Sequence, residues 1–323
     1  MSRATVITFK HNDIFHLRTI LEGIAADDKR LRRDTQQQRR FIVVEGLYRN
    51  TGDLCPLPAL IDLKYEFFYR LIVDESLSFG AVGRTGRGVT EHFHVDIQDV
   101  DICNMAMDTS LASVGGLCVG ARDVVDHQRL SGAGYCFSAS SPPFLSAVGV
   151  AALDKLQQEP EHVLRLQQNA QLLGEGLAKI AGLSLGAISP VMHLSLRTAD
   201  LPHIFPPVSP PTTSTAPQVK GSQGGNKSRG LEEFEERWNQ DMSVLQSICK
   251  YCMDNGVGVT LTKYKSHISP WTAAQAGAQT SAEMPASVRP SIKVCASAVL
   301  TEEQIRQVVR VIQAGASAVL NVV

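Results

Sequence analysis

Between Lys64 and Lys155 the 323-residue chain has no lysine, so that stretch cannot carry chemistry that needs a primary amine. Long apolar runs are missing too. The longest nearly apolar stretch, Phe144 to Leu153, stops at Asp154 and is far short of a bilayer span. The start, Met1-Ser-Arg-Ala-Thr5, has no charged segment leading into an apolar core, which predicts no signal peptide. Charge of one sign is also lacking. With Lys and Arg at 31 against Asp and Glu at 32, net charge −1, the overall field favours neither nucleic acid nor an anionic bilayer. The seven cysteines are scattered rather than framed as a disulfide scaffold, which suits a reducing compartment. Cys249 and Cys252 form a C-x-x-C, but inside a helical pattern and with no second pair. No metal or redox site is expected there.

What is present is a chain of 44% hydrophobic and 20% charged residues, enough for a sizeable core and ordinarily two domains. Thr5 to Phe9 reads as a short strand. Asn12-Asp13 then caps a helix with the apolar stripe Ile14, Leu17, Leu21, Ile24, ending near Asp28. The basic cluster Lys29 to Arg33 with Arg39-Arg40 reads as a solvated helix end and turn. Phe41-Ile-Val-Val44 is a continuous apolar run, as in a parallel strand buried on both faces. Pro56 and Pro58 open a helix to about Tyr69, and Leu71-Ile-Val73 delivers Asp74 into a loop with glycines at 80, 83, 86 and 88. Strand, helix and strand make a right-handed βαβ unit that predicts Glu45, Tyr48 and Asp74 at one sheet edge, where open α/β sheets bind ligands.

Beyond this unit, His92-Phe-His94 alternates as an extended segment with both imidazoles on one side and no third metal ligand in sight. Strands are expected at Val100 to Cys103 and Leu117 to Val119, flanking a turn at Thr109. Ser138-Ala-Ser140 precedes Pro142-Pro143 at the start of a long helical pattern, broken at Pro160 and resumed to near Gly182. These serines could present hydroxyls to a phosphate or merely cap the helix. His193 to Arg197 alternates as a strand. Pro202 to Gly230, with six prolines and four glycines, reads as a disordered insertion. A helix from Glu232 to Asn255, strands at Val257 to Thr262 and Ser291 to Ala296, and a capping box at Thr301 to Gln304 complete a smaller α+β domain.

The segments Phe41 to Tyr48, Asp74 to Gly80, Gly86 to His92 and Asp126 to Ser140 closely resemble the α-oxoamine synthases, pyridoxal-phosphate (PLP) acyltransferases. The likeness is greatest to their lysine-lacking group, the non-catalytic first subunits of serine palmitoyltransferase. It covers most of residues 5 to 195 and, more weakly, 231 to 320. The resemblance implies an α/β fold. Residues 1–140 would be the C-terminal part of a PLP-transferase large domain with a mostly parallel sheet, 141–182 connecting helices, and 183–323 the small α+β domain with an insertion at about 200–230. It places Thr109 at the cofactor-lysine position and Leu77 at the ring-stacking histidine position, so no catalytic residue is expected in this chain.

Asp74 falls where the family pairs with the pyridine nitrogen. Ser138 and Ser140 fall where a Ser-Thr-Ser reaches a neighbour's PLP phosphate, the central threonine being Ala139 here. The cofactor would be held mainly by a lysine-bearing second subunit in a heterodimer acting on serine and palmitoyl-CoA at the cytosolic face of the endoplasmic reticulum membrane. That group begins with a membrane segment and a further half of the large domain, so the chain is expected to correspond to a fragment. A self-sufficient PLP synthase and a truncated non-enzymatic scaffold remain as alternatives.

Overall fold

The computed structural model describes residues 4–35, 38–197, 225–262 and 289–321, the side chains of 225–235 excepted. Contacts divide the chain into two compact units, with the division inside one helix between Gln168 and Asn169.

In the first unit, Asp13 accepts a hydrogen bond from the His16 amide and starts α1 (Ile14–Leu31), which buries Leu17 and Leu21. The helix runs on past Asp28 because that residue is buried, where Arg33 and Arg40 pair with its carboxylate. Lys29 to Arg33 and Arg39 are exposed, as expected of a solvated helix end, while Arg40, just before the next strand, is partly buried against Asp28. β1 (Phe41–Glu45), α2 (Leu57–Phe67) and β2 (Arg70–Asp74) form the expected βαβ unit, with β1 and β2 parallel. The Asp74 carboxylate and Glu45 fall opposite each other in register. A parallel pair with β3 (Ile102–Ala106) and an antiparallel pair with β4 (Gly116–Gly120) complete a sheet of order β1-β2-β3-β4. Between β2 and β3 lie a single helical turn, α3 (Val89–His92), and a 3-10 turn at Ile97–Asp99. Beyond β4 come α4 (Arg122–Ser131), the short α5 (Ala133–Cys136), α6 (Pro143–Gln158) and α7 (Glu161–Leu177), with the expected break at Pro160.

Three expectations fail locally. Thr5 to Phe9 is not a strand, since an extended run becomes one only where a neighbour takes up its backbone bonds. β1 is not buried on both faces. Ile42 and Val44 are buried, but Phe41 is 41% and Val43 62% exposed, because one face of this edge strand is uncovered. His92 ends α3 and His94 has φ +56°, so the two imidazoles do not line one side of an extended segment.

The second unit is built on an antiparallel sheet of order β5-β6-β8-β7, formed by β5 (Leu183–Leu185), β6 (Val191–Leu196), β7 (Thr260–Thr262) and β8 (Ser291–Cys295). The end of α7, α8 (Gly225–Asp254) and α9 (Glu302–Leu320) supply Leu173, Leu177, Leu245, Ile248, Ile305 and Ile312 to one core with the sheet's Met192, Leu194 and Ile292. Cys249 and Cys252 are buried in it, and burial pushes both thiols up to about 11. The α9 start has the full capping box, with Thr301 Oγ1 accepting from the Gln304 amide and Gln304 Oε1 from the Thr301 amide. α8 begins at Gly225, ahead of the acidic pair Glu232-Glu233, because lengthening an existing helix needs no new nucleus. Of the insertion expected from Pro202 to Gly230, residues 225–230 belong to α8 instead, and 202–224 lie outside the described residues.

Candidate functional site

Parallel strands bring their carboxyl ends to one edge. Here the register sets Glu45, Asp74 and Asn104 in a row across β1, β2 and β3. Tyr48 follows Glu45 and stands edge-on to the His11 ring, 4.4 Å between centroids. His11 is fixed by Asp53, at 2.8 Å from Nε2 to Oδ2, and Asn12 Nδ2 donates to the same carboxylate oxygen at 2.7 Å. Desolvation acts against the Asp53 charge, but the hydrogen bonds from His11 and Thr51 outweigh it and hold its carboxyl below the usual range. This clasp fastens the start of α1 to the loop after β1, a contact that sequence separation hides.

Asp74 is half-buried, and its Oδ1 accepts the Ser76 amide at 2.8 Å, an Asx turn that ends the strand. Ser76 Oγ accepts the Ala106 amide at 2.9 Å. Thr109 Oγ1 donates to the Ser76 carbonyl at 2.6 Å and lies 3.3 Å from the Ala106 carbonyl. The next residue, Ser110, donates from its hydroxyl to the Phe79 carbonyl. The hydroxyls of the 107–115 turn thus stitch it onto the loop after β2. Leu77 is half-buried on the same loop. Asp74, Leu77 and Thr109 are brought together in one stretch, whereas Ser138 and Ser140 lie on the exposed segment before α6 with no hydrogen-bond partner among the described residues.

The sequence reading missed Glu75. Burial raises its carboxyl above the usual range against the opposing bonds from Ser78 and the Val89 amide, and the nearby Asp74 adds to the rise. Its sequence signal was a second acid placed one residue on, which in an extended chain points to the opposite side. The residues around Thr109 do not fit a covalently held PLP. No lysine lies between Lys64 and Lys155, the Thr109 hydroxyl is bonded to backbone carbonyls, and Asp74 is engaged by a backbone amide.

Comparison with known proteins decides the lineage. The sequence pattern of aminotransferase class I and II matches residues 1–199. The chain belongs to the aminotransferase class I and II family. Among relatives of this aminotransferase-family chain, "Long chain base biosynthesis protein 1b" of Oryza sativa subsp. japonica is 42% identical over 201 residues, 62% of this chain and 41% of the relative. "Serine palmitoyltransferase 1" of Dictyostelium discoideum is 35% identical over 330 residues, 99% of this chain and 57% of the relative. The chain thus spans about half the length of the curated relatives it matches. In fold it is similar to the serine palmitoyltransferase of Sphingomonas wittichii, with TM-score 0.68 and 22% identity over 98% of this chain and 62% of that one. It is also similar to 8-amino-7-oxononanoate synthase from Francisella tularensis, with TM-score 0.63 and 17% identity over 98% of this chain and 70% of that one. These likenesses accord with the mixed α/β architecture and its parallel-dominated sheet. Among the described residues, no helix is long and apolar enough to cross a membrane.

Proposed function

We propose that this protein is the lysine-lacking subunit of a serine palmitoyltransferase, supporting a partner that condenses L-serine with palmitoyl-CoA to 3-ketosphinganine, CO2 and free CoA. The proposal rests on Thr109, which the resemblance sets at the family's cofactor-lysine position and whose hydroxyl is bonded to the Ser76 carbonyl. A chain so built has to take its reactive amine from elsewhere. Relatives named "Long chain base biosynthesis protein 1" and "Serine palmitoyltransferase 1" support the same reading.

A partner would meet exposed apolar side chains within residues 130–150, where Leu130 is 84%, Tyr135 67%, Phe137 90%, Phe144 64% and Val150 57% exposed, in the stretch that also carries Ser138 and Ser140. Exposed apolar groups of this density mark interaction surfaces. In this reading Ser138 and Ser140 donate to the phosphate of PLP held mainly by the partner, and Asp74 orders its own loop through the Ser76 amide. Residues 1–140 serve as the large-domain part, 141–182 as connecting helices and 183–323 as the small domain. The complex sits at the cytosolic face of the endoplasmic reticulum membrane, reached through the partner or through sequence that the longer relatives carry.

The test is co-expression with a lysine-bearing second subunit, followed by a pull-down and a serine plus palmitoyl-CoA assay. Complex formation and product dependent on both chains are expected. No association and no gain of activity overturns the proposal. Covalent PLP on this chain alone, fixed by borohydride, favours the self-sufficient synthase instead.

A further inference from the structure

Glu75 has no part in the site above, and its surroundings are unusual for an acid. The residue is 3% exposed. Its carboxylate accepts from Ser78 Oγ and from the Val89 amide at 3.1 and 3.2 Å, and no basic side chain pairs with it among the described residues. The titratable groups facing it are Asp74 on β2, Cys55 after β1 and Cys103 on β3, none of them a cation. Glycines wall it in: a Cβ at Gly46 would lie 3.1 Å from Oε2, and one at Gly88 2.7 Å from Oε1.

Val89 lies fourteen residues beyond Glu75, so this contact closes a whole loop. The loop is also held by Gly80 N donating to Gly86 O at 2.7 Å, Gly88 N to Val82 O at 2.9 Å and the side chain of Gln167 to the Gly83 carbonyl at 2.6 Å, and within it the Glu91 carboxylate accepts the Thr85 and Arg87 amides at 2.9 and 3.1 Å. Burial with no counter-charge disfavours the ionised acid, and the two donors, which favour it, offset only part of that cost.

We propose that Glu75 is a proton-loaded latch: neutral, it holds the 78–91 loop shut across the ends of β1 and β2, and ionised, it frees that loop. The device is independent of which partner or substrate the protein serves. It reaches the candidate site because Phe79 O takes the Ser110 hydroxyl and Ser76 O takes the Thr109 hydroxyl. Its direction follows from linkage. The folded-state acid titrates above its ordinary value of 4.5, so the latch's stabilisation is full below that value and is lost as pH rises through the raised one.

Amide hydrogen exchange of the intact protein, read across about pH 5 to 8, tests this. Relative to α2 amides such as Leu60 and Leu63, the protection factor at Val89 should fall by up to about tenfold per pH unit where one proton is released. Glu75→Gln, neutral at every pH and able to accept from Val89, should keep the protection flat. Ser78→Ala removes the hydroxyl that favours the ionised acid and should move the fall to higher pH. A wild-type protection factor that does not vary, a Glu75→Gln profile parallel to wild type, or a midpoint unmoved in Ser78→Ala overturns the proposal. The last outcome decides the matter even if Glu75→Gln does not fold.

Discussion

Gly88→Ala is the perturbation whose cost can be worked from two separate observations. Gly88 has φ +85° and ψ −159°, a region essentially closed to any residue with a Cβ, and holding alanine there costs about 1–3 kcal/mol. The added methyl would also lie 2.6 Å from Glu75 Cδ and 2.7 Å from Oε1. These atoms are buried and cannot swing into solvent, so the overlap adds about 1–3 kcal/mol. The expected loss, about 2–6 kcal/mol, is a large share of the about 5–15 kcal/mol that holds a typical protein folded. Urea denaturation followed by circular dichroism measures it. Gly23→Ala is the control, since Gly23 is an exposed residue inside α1 with no heavy atom within 4 Å of the new Cβ, and should stabilise by about 0.5–1 kcal/mol. Combining Gly88→Ala with Glu75→Ala separates the two costs, because removing the carboxylate relieves the overlap and leaves the backbone strain. A coupling of about 1–3 kcal/mol is expected from the cycle. A Gly88→Ala loss below about 1 kcal/mol would refute both the loop conformation and the packing against Glu75.

Thr109→Lys in this chain alone should give no turnover and no borohydride-sensitive absorbance, because in the proposed reading Leu77 stands at the ring-stacking position and Asp74 stays bound to the Ser76 amide; activity of the isolated variant would contradict that reading. Ser138→Ala with Ser140→Ala should leave the fold intact, both side chains being exposed, and should speed PLP loss from the co-expressed complex, read by equilibrium dialysis. A neutral-pH thiol reagent should label exposed Cys136 and Cys295 first. It should reach buried Cys55 and Cys103, with thiols pushed up to about 12, and Cys249 and Cys252 only on unfolding. Thr301→Ala removes one half of the α9 capping box and should cost about 1 kcal/mol in thermal unfolding.

The parts of the fold that could be read in advance are those fixed by short-range physics. The apolar runs before Glu45 and Asp74 became neighbouring parallel strands, and Pro56 and Pro58 became the start of α2. The Thr301 box became a helix cap with both of its bonds. What could not be read depended on partners distant in the chain. The alternation of His92 and His94 is only three residues long, and the residue ahead of α3 is Gly88, whose conformation answers to Glu75. Thr5 to Phe9 has strand-like residues but no strand beside it. The His11 to Asp53 clasp joins positions 42 residues apart, and no local pattern announces it.

Asp74-Glu75 shows how the site was legible in one residue and hidden in the next. Successive side chains leaving a strand point to opposite sides. With Asp74 turned to the edge where the parallel strands end, Glu75 must turn inward, where an acid is costly unless space and donors are provided. Gly46 and Gly88 give the space, and Ser78 and Val89 give the donors. Gly88 in this loop and Gly46 after β1 thus answer to a carboxylate inside the protein. The same loop carries Ser76 O, to which Thr109 donates. A side chain without an amine therefore fastens the turn after β3 to the loop after β2, and with it the edge at which the parallel strands end.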